Sequence, residues 1–518
     1  MQSRFLAIVL FLALPLRAQN GAVDVLHYRI EAALPSSGSE IVATTELTVR
    51  PLKVPLAQLE LDFGALPIDG VTVDGKAATY ERAADRLTIA VARTTPEPFR
   101  ARIRYHGKTS DGLFVQQTKY GDASAFADNW PNRARHWFPS VDHPSDKATV
   151  ELIVTAPDRF DVIANGTRIE TTSLQNGMKR THWSESTPIP VHCMVIGATE
   201  FSIVRAGVVE GTEISYYLYP RDREHGIREL GRVSQILAFY SEVIGPYPYD
   251  KLALVESSTR FGGMENASAI FLDEKRIDGN GSLEELAAHE IAHQWFGDSV
   301  SQREWHDLWL SEGFSTYFTN LFYEHIAGRE SFREKMREDR NRYLKAQSET
   351  PRPIYDPSIT DLFKLLNRQN YEKGAWVLHM LRGIMGDGAF FDAVREYYSA
   401  NRNGNASTGE LRVIMERHAG QPLDWFFRQW IYESGHPVFA TKWTWRDGKT
   451  VINIEQQQAG NVFRVPMTIA LGEKRESIVV DERQEQFEFA TEAKPSEVVL
   501  DPDEWVLWSA AATPPLSR

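Results

Sequence analysis

The 518-residue sequence has a single cysteine, Cys193. No intrachain disulfide can form, so stability has to come from packing rather than cross-links. A metal held by cysteine thiolates is excluded for the same reason, and any metal ion must rest on His and carboxylate donors. Cys193 sits in the apolar stretch VHCMVIG and reads as a buried small hydrophobe, not a nucleophile. An excess of positive charge is also missing. Lys and Arg total 57 against 70 Asp and Glu, a formal net charge of −13. That argues against nucleic acid as a partner, which would call for a basic face. Beyond the N-terminus no apolar run reaches the length of about 18 residues a membrane span needs, so stable membrane insertion is not expected. There is no internal repeat and no long low-complexity linker.

What is present is ordinary globular composition with an unusual beginning. Hydrophobic residues make up 42% and charged residues 25%, enough for ample cores, and the length suggests about three domains. Arg4 precedes an unbroken apolar run from Phe5 to Leu14, followed by Pro15 and a small residue at Ala18. Residues 1–18 therefore read as a signal peptide, which implies export to the periplasm or cell exterior, in a bacterial manner.

The texture then changes twice. Residues 19–205 carry alternating segments such as EIVATTELTVR, RARIRYHG and ATVELIVTA, punctuated by Asp-Gly and Asn-Gly turns. They read as an N-terminal antiparallel β-domain. Residues 206–436 switch to helical spacing, and a mainly α domain is expected. One helix should start at Ser282, with Glu285 completing a capping box, and Gly297 should end it. A second should be stopped by Gly328. Residues 437–518 return to alternation and fit a small C-terminal β-sandwich. The fold class expected is multidomain α+β.

The middle domain holds the stretch HEIAHQW, His289 to Trp295. On a helix, His289 and His293 lie one turn apart on one face, the spacing two imidazoles need to share a zinc ion. Glu290, next to the first imidazole, could accept a proton from metal-bound water. A catalytic zinc usually has three protein donors. Glu312, 19 residues after His293 in WLSEGFSTY, is placed to return on the next helix as the third. Such a His₂Glu set would leave one Zn²⁺ per chain with water of pKa near about 7.

HEIAH, the spacing to Glu312 and the preceding Gly262-Gly263-Met264-Glu265-Asn266 together resemble the M1 zinc aminopeptidases, gluzincins related to aminopeptidase N and leukotriene A4 hydrolase. WHDLWLSEGFSTY resembles a further motif of that family, and the resemblance runs from about Phe138 to Trp430. It implies a thermolysin-like zinc catalytic domain and peptides with a free N-terminus as substrates. The implied activity is release of N-terminal residues by attack of metal-bound water. It assigns Gly262, Gly263, Met264, Glu265 and Asn266 to substrate binding. The Glu265 carboxylate would pair with the cationic α-amino group, and the glycines would let the backbone approach substrate. Glu290 becomes the general base. Tyr371, in NYEKG, becomes the donor to the oxyanion. Asp307 and Thr316 are candidates for orienting a ligand imidazole.

Two departures stand out. Many relatives hold the amine with a second group in the β-domain; counting back from Pro144 reaches Trp130 and its neighbour Asn129, so that anchor is either Asn129 or absent. The long helical C-terminal domain of many relatives has no counterpart, which implies a more open cleft. Alternatives on the same site are an endopeptidase, a lipid epoxide hydrolase, or a non-catalytic binding protein. Side-chain preference, physiological substrate and oligomeric state are not readable from the residues.

Overall fold

A computed structural model describes residues 21–36 and 38–511. The leader at 1–18 lies outside the described residues. The N-terminal part is built from three sheets of eight, four and three strands. The strand Phe99–Lys108 shows why they form. Phe99, Ala101, Ile103 and Tyr105 are buried, while the Arg and His between them face outward, so one face packs and the other is solvated. The large sheet is not wholly antiparallel. Val23–Ala33 runs parallel to Lys147–Pro157, because these strands are distant in sequence and need no hairpin.

The expected boundary at 205/206 falls inside a strand. Ser202–Val209 pairs with Thr212–Leu218, in a five-stranded sheet that continues through Lys251–Ser257 and Ala269–Asp273 to an edge at Gly263–Met264. The alternation of this strand looks like that of the preceding β-domain, but its partners lie downstream.

Helices α1 (Arg223–Glu229), α2 (Val233–Val243), α3 (Leu283–His293), α4 (Trp309–Ala327) and α5 (Arg329–Glu349) follow. They are succeeded by α6 (Gly374–Met385), α7 (Asp387–Asn401), α8 (Thr408–Ala419) and the short α9 (Asp424–Phe427). Of these, α4 is buried on nearly every side from Trp309 to Phe322, so it is the spine of the domain. Gly328 ends it with φ 85°. The capping box expected on α3 does not form. Ser282 makes no side-chain cap, and Glu285 pairs with Lys335 at 2.7 Å on the neighbouring helix α5. A capping box does form at Ser407 and Glu410, at the start of α8. The helix α3 ends at His293, four residues before Gly297.

The C-terminal part is two sheets, of four and three strands. Trp505 stacks on His379 of α6 with ring centroids 4.6 Å apart, which seats these sheets against the helices. The N-terminal sheets are tied in by buried polar groups. Lys147 Nζ donates to the carbonyls of Asp298 and Ser299, both at 2.7 Å. Burial pulls this amine down to about 7.

Candidate active site

On α3, His289 and His293 project from one face, as helical spacing requires, and α4 runs back to bring Glu312 against them. His289 Nε2 and His293 Nε2 are 3.0 Å apart. Glu312 Oε2 lies 3.3 Å from the first and 3.2 Å from the second. Donors bound tetrahedrally at about 2.0–2.1 Å from zinc would stand about 3.3 Å from one another. The three atoms therefore form one face of a zinc-sized tetrahedron, and the set fits the metal. The second nitrogen of His293 fixes the ring. Nδ1 lies 3.0 Å from the Phe296 carbonyl and 2.9 Å from Ser311 Oγ. An Nδ1–H donated to that carbonyl leaves Nε2 as a lone-pair donor facing the site.

The electrostatics also call for a cation. Glu265, Glu290 and Glu312 crowd one imidazole, with atoms of Glu265, Glu290 and His293 within 4.8 Å of one another. Burial opposes charge on His293, but Glu312, then Glu265 and Glu290, outweigh it and hold the ring up at about 10. Burial likewise opposes charge on Glu312, and the two imidazoles overcome it, drawing the carboxylate down to about 2. Glu265 is raised to about 7 and Glu290 well above the usual carboxylate range, in both cases chiefly by burial.

Glu265 reaches the pocket from the end of the edge strand Gly263–Met264. That strand pairs with Ala269–Asp273 in the register Gly263↔Leu272 and Met264↔Phe271, and its other edge pairs with no strand among the described residues. A Cβ on Gly263 would collide with the Glu290 carboxylate, so only glycine lets strand and helix come this close. Gln294, one residue past the second imidazole, locks the two together. Its Nε2 donates to the Glu265 carbonyl at 2.6 Å and to Asp298 Oδ2 at 2.9 Å. Its Oε1 accepts from Ser268 N at 2.8 Å and Tyr247 Oη at 3.2 Å.

Tyr371 approaches from the opposite chain segment, on a π-helical turn, Gln369–Lys373, a geometry common at functional sites. Its ring lies nearly parallel to that of His289, 8° between planes and 5.9 Å between centroids. Burial and the nearby Glu312 push its phenol well above the ordinary value, so it stays a proton donor. Gly374, just after the turn, lies against Gly313 of α4 so closely that a Cβ on either would meet the other's Cα at 2.9 Å. That crossing sets Tyr371 beside Glu312.

The remaining wall is apolar. Trp130, Phe261 and Leu366 line the same pocket. Trp130 stands edge-on to Phe261, Trp305 and Phe363 at 6.1, 5.7 and 5.8 Å. Several expected residues are placed elsewhere. Asn129 is fully buried; its Nδ2 donates to the Met194 carbonyl at 2.6 Å and its Oδ1 accepts from Trp137 Nε1 at 2.8 Å. Its amide is committed to the β-domain core and cannot hold an amine. Asp307 accepts from Thr408 Oγ1 at 2.6 Å, so it anchors the start of α8 and orients no imidazole. Thr316 has no hydrogen bond to either imidazole among the described residues. Asn266 is fully buried away from the pocket, its amide without a partner, and its carbonyl turns the chain back through Ala269 N. Gly262 precedes the strand and accepts from Asp273 N at 3.0 Å. Sequence reasoning missed Ser311, Gln294 and the Trp130 wall. Of these only Trp130 carried a signal, since counting back from Pro144 lands on it.

Comparison with known proteins follows the same outline. The Peptidase M1 N-terminal domain matches residues 27–192, and the Peptidase family M1 domain matches residues 228–430. A Probable aminopeptidase 2 of Sulfurisphaera tokodaii is 25% identical over 473 residues, 86% of this chain and 59% of its own. The Tricorn protease-interacting factor F2 of Thermoplasma acidophilum is 29% identical over 404 residues, 73% of this chain and 50% of its own. The chain thus spans about half the length of the curated relatives it matches. Among solved structures, the M1 zinc metallopeptidase of Deinococcus radiodurans superposes with a TM-score of 0.69 at 24% identity. It covers 80% of this chain and 95% of that one. Legionella pneumophila aminopeptidase A gives a TM-score of 0.82 at 19% identity, over 95% and 60%. These likenesses show the fold: an N-terminal β-rich part, a helical middle part and C-terminal sheets.

Proposed function

The chain belongs to peptidase family M1, and from this premise we propose that it is a zinc-dependent aminopeptidase removing single residues from peptides with a free N-terminus. One observation carries the reading: a carboxylate that does not complete the donor triad, Glu265, lines the same pocket as His289, His293 and Glu312. One Zn²⁺ per chain, held by that triad, would supply Lewis-acid polarisation of the substrate carbonyl and the attacking water.

The chain's own residues do the rest. The Glu265 carboxylate pairs with the substrate α-ammonium and measures off one residue from the N-terminus. The edge strand Gly263–Met264 offers backbone groups to the substrate chain. The Glu290 carboxylate takes the proton of the attacking water and returns it to the departing amine. The Tyr371 phenol donates to the oxygen on which negative charge develops. The wall of Trp130, Phe261 and Leu366 excludes water and favours an apolar first side chain.

The test is a panel of amino-acid aminomethylcoumarins, free and N-acetylated, with and without a chelator, alongside a zinc-to-protein ratio. Chelator-sensitive release from free amines alone supports the reading. Equal cleavage of blocked substrates would favour the endopeptidase alternative, and bound zinc without hydrolysis would favour a binding protein. Export rests on the leader 1–18; recovery of the protein only from the cytoplasm, with residues 1–18 retained in its intact mass, would count against it.

A further inference from the structure

A second cleft adjoins the first pocket. Its volume is about 470 Å³, within the range of ligand sites, and Leu366 and Tyr371 belong to the walls of both. Glu265, Gly263 and Trp130 line only the first. For a peptide whose amine sits at Glu265 and whose reacting carbonyl meets Tyr371, this cleft lies next to the portion beyond the reacting carbonyl.

Its lining is cationic on a chain of net charge −13. Arg352, Lys364 and Arg368 face it, with Glu349 as the one acidic side chain on its wall among the described residues. The cations are not equally free. Arg368 Nη1 is held 2.5 Å from the buried Glu372. Lys364 has only a 4.0 Å approach to the exposed Asp361. Arg352 is half-buried and has neither a hydrogen bond nor an ion pair among the described residues. A partly desolvated guanidinium without a counter-charge presents a planar fork of donors matched to a carboxylate.

We propose that this cleft binds a carboxylate on the leaving portion of the substrate, with Arg352 as its principal contact and Lys364 as its second. This rests on the aminopeptidase reading above and narrows its substrate class to short peptides or peptides acidic just beyond the scissile bond. The carboxylate could be the C-terminus of a tripeptide or an acidic side chain, and the substrates separate the two.

The zinc-loaded protein is assayed for kcat/KM on Leu-Gly-Gly as free acid and as amide, and on Leu-Gly-Asp-Gly-Gly-amide against its Asn counterpart. The acid/amide or the Asp/Asn ratio is expected at about three- to tenfold, the range of a partly exposed charge-assisted pair. A preference confined to the tripeptide acid assigns the C-terminus, and one confined to Asp assigns the side chain. In Arg352→Gln the ratio falls towards one; Lys364→Gln lowers it less. Because each ratio is read within one variant, loss of folded enzyme cancels. Wild-type ratios of one, or a ratio unchanged in Arg352→Gln, overturn the proposal. Failure to release coumarin from Leu-aminomethylcoumarin is a different result, since that substrate has no carboxylate; it sinks the aminopeptidase reading and this inference with it.

Discussion

Two sides of one pocket are held in different ways. On the first side, α3 and α4 present His289, His293 and Glu312 from adjacent buried helices whose backbones satisfy their own hydrogen bonds. On the second, Trp130, Glu265 and Tyr371 come from a loop, the end of a two-residue edge strand and a π turn. These depend on ties that reach outside their own short elements. Gln294 fixes the Glu265 carbonyl, Lys373 donates to the Glu433 carbonyl at 3.3 Å, and Asn370 Nδ2 donates to the Leu365 carbonyl at 2.7 Å. The difference teaches a division of labour. The three candidate metal donors, with Glu290, sit on self-supporting helices. The other groups that line the pocket sit on irregular backbone, where tertiary contacts set their reach.

The largest test is on the helix side. Glu290→Gln should retain zinc and lose about 10²–10⁴ in kcat, equally for every substrate. Metal content and turnover, measured together, check it, and near-normal turnover would remove the general-base assignment. Tyr371→Phe should cost about 10²–10³ in kcat with little change in KM. Although Tyr371 sits on the irregular side, its loss should also be uniform across substrates, and a substrate-dependent loss would count against the oxyanion role. Glu265→Ala should cost about 10–100-fold in kcat/KM on free amines. N-acetylated peptides should lose far less, and equal loss on both would count against amine recognition. Trp130→Ala should shift the ranking of first residues, weakening Leu and Phe relative to Ala by roughly tenfold or less. An unchanged ranking would show that the wall does not select.

The smallest test leaves the pocket. Asp339 on α5 is raised to about 7, chiefly by burial, with Glu372 adding and Asn320 opposing. A carboxyl raised in the folded state favours folding while protonated. Its contribution is full below the ordinary value of 3.8 and is lost as pH climbs through about 7. Wild type should therefore melt roughly a few degrees lower at pH 8 than at pH 5 through this group. In Asp339→Asn that difference should shrink while the substrate ranking stays put. A melting profile unchanged by the substitution would remove Asp339 from the pH response.

The helix side was also the readable side. The four-residue interval between His289 and His293 is a property of any helix, and the 19 residues to Glu312 allow one reversal and little else. Tyr371 and Glu265 were legible only through their motifs, since nothing in their local pattern says which way they face. Asn129 shows the limit. Its neighbour faces the pocket, but its own side chain turns inward to the Met194 carbonyl, and in a turn that no periodicity describes the sequence does not say which of two adjacent side chains faces in. Ser282 failed as a cap for a related reason. The residue type was right, but its backbone is helical, φ −79° and ψ −9°, and Glu285 found a stronger partner in Lys335. The three-part order of β, helix and β was legible throughout, while the edge at 205/206 was not, because alternation does not reveal which sheet a strand joins.

The contact between Gly313 and Gly374 separates what can vary from what cannot. Tyr371 takes its position from a backbone-on-backbone seat against the helix that carries Glu312, three residues beyond the phenol, and from the Asn367 carbonyl, which accepts from its N–H at 3.3 Å. Residues 350–368 form much of the wall of the second cleft and arrive at that seat from one end only. Insertions or replacements among residues 350–364, upstream of the carbonyls of Leu365, Asn367 and Arg368 that hold the π turn, can lengthen, shorten or recharge the second cleft while Tyr371 keeps its seat. Such a molecule can acquire new substrates by rewriting one loop, without renegotiating its chemistry.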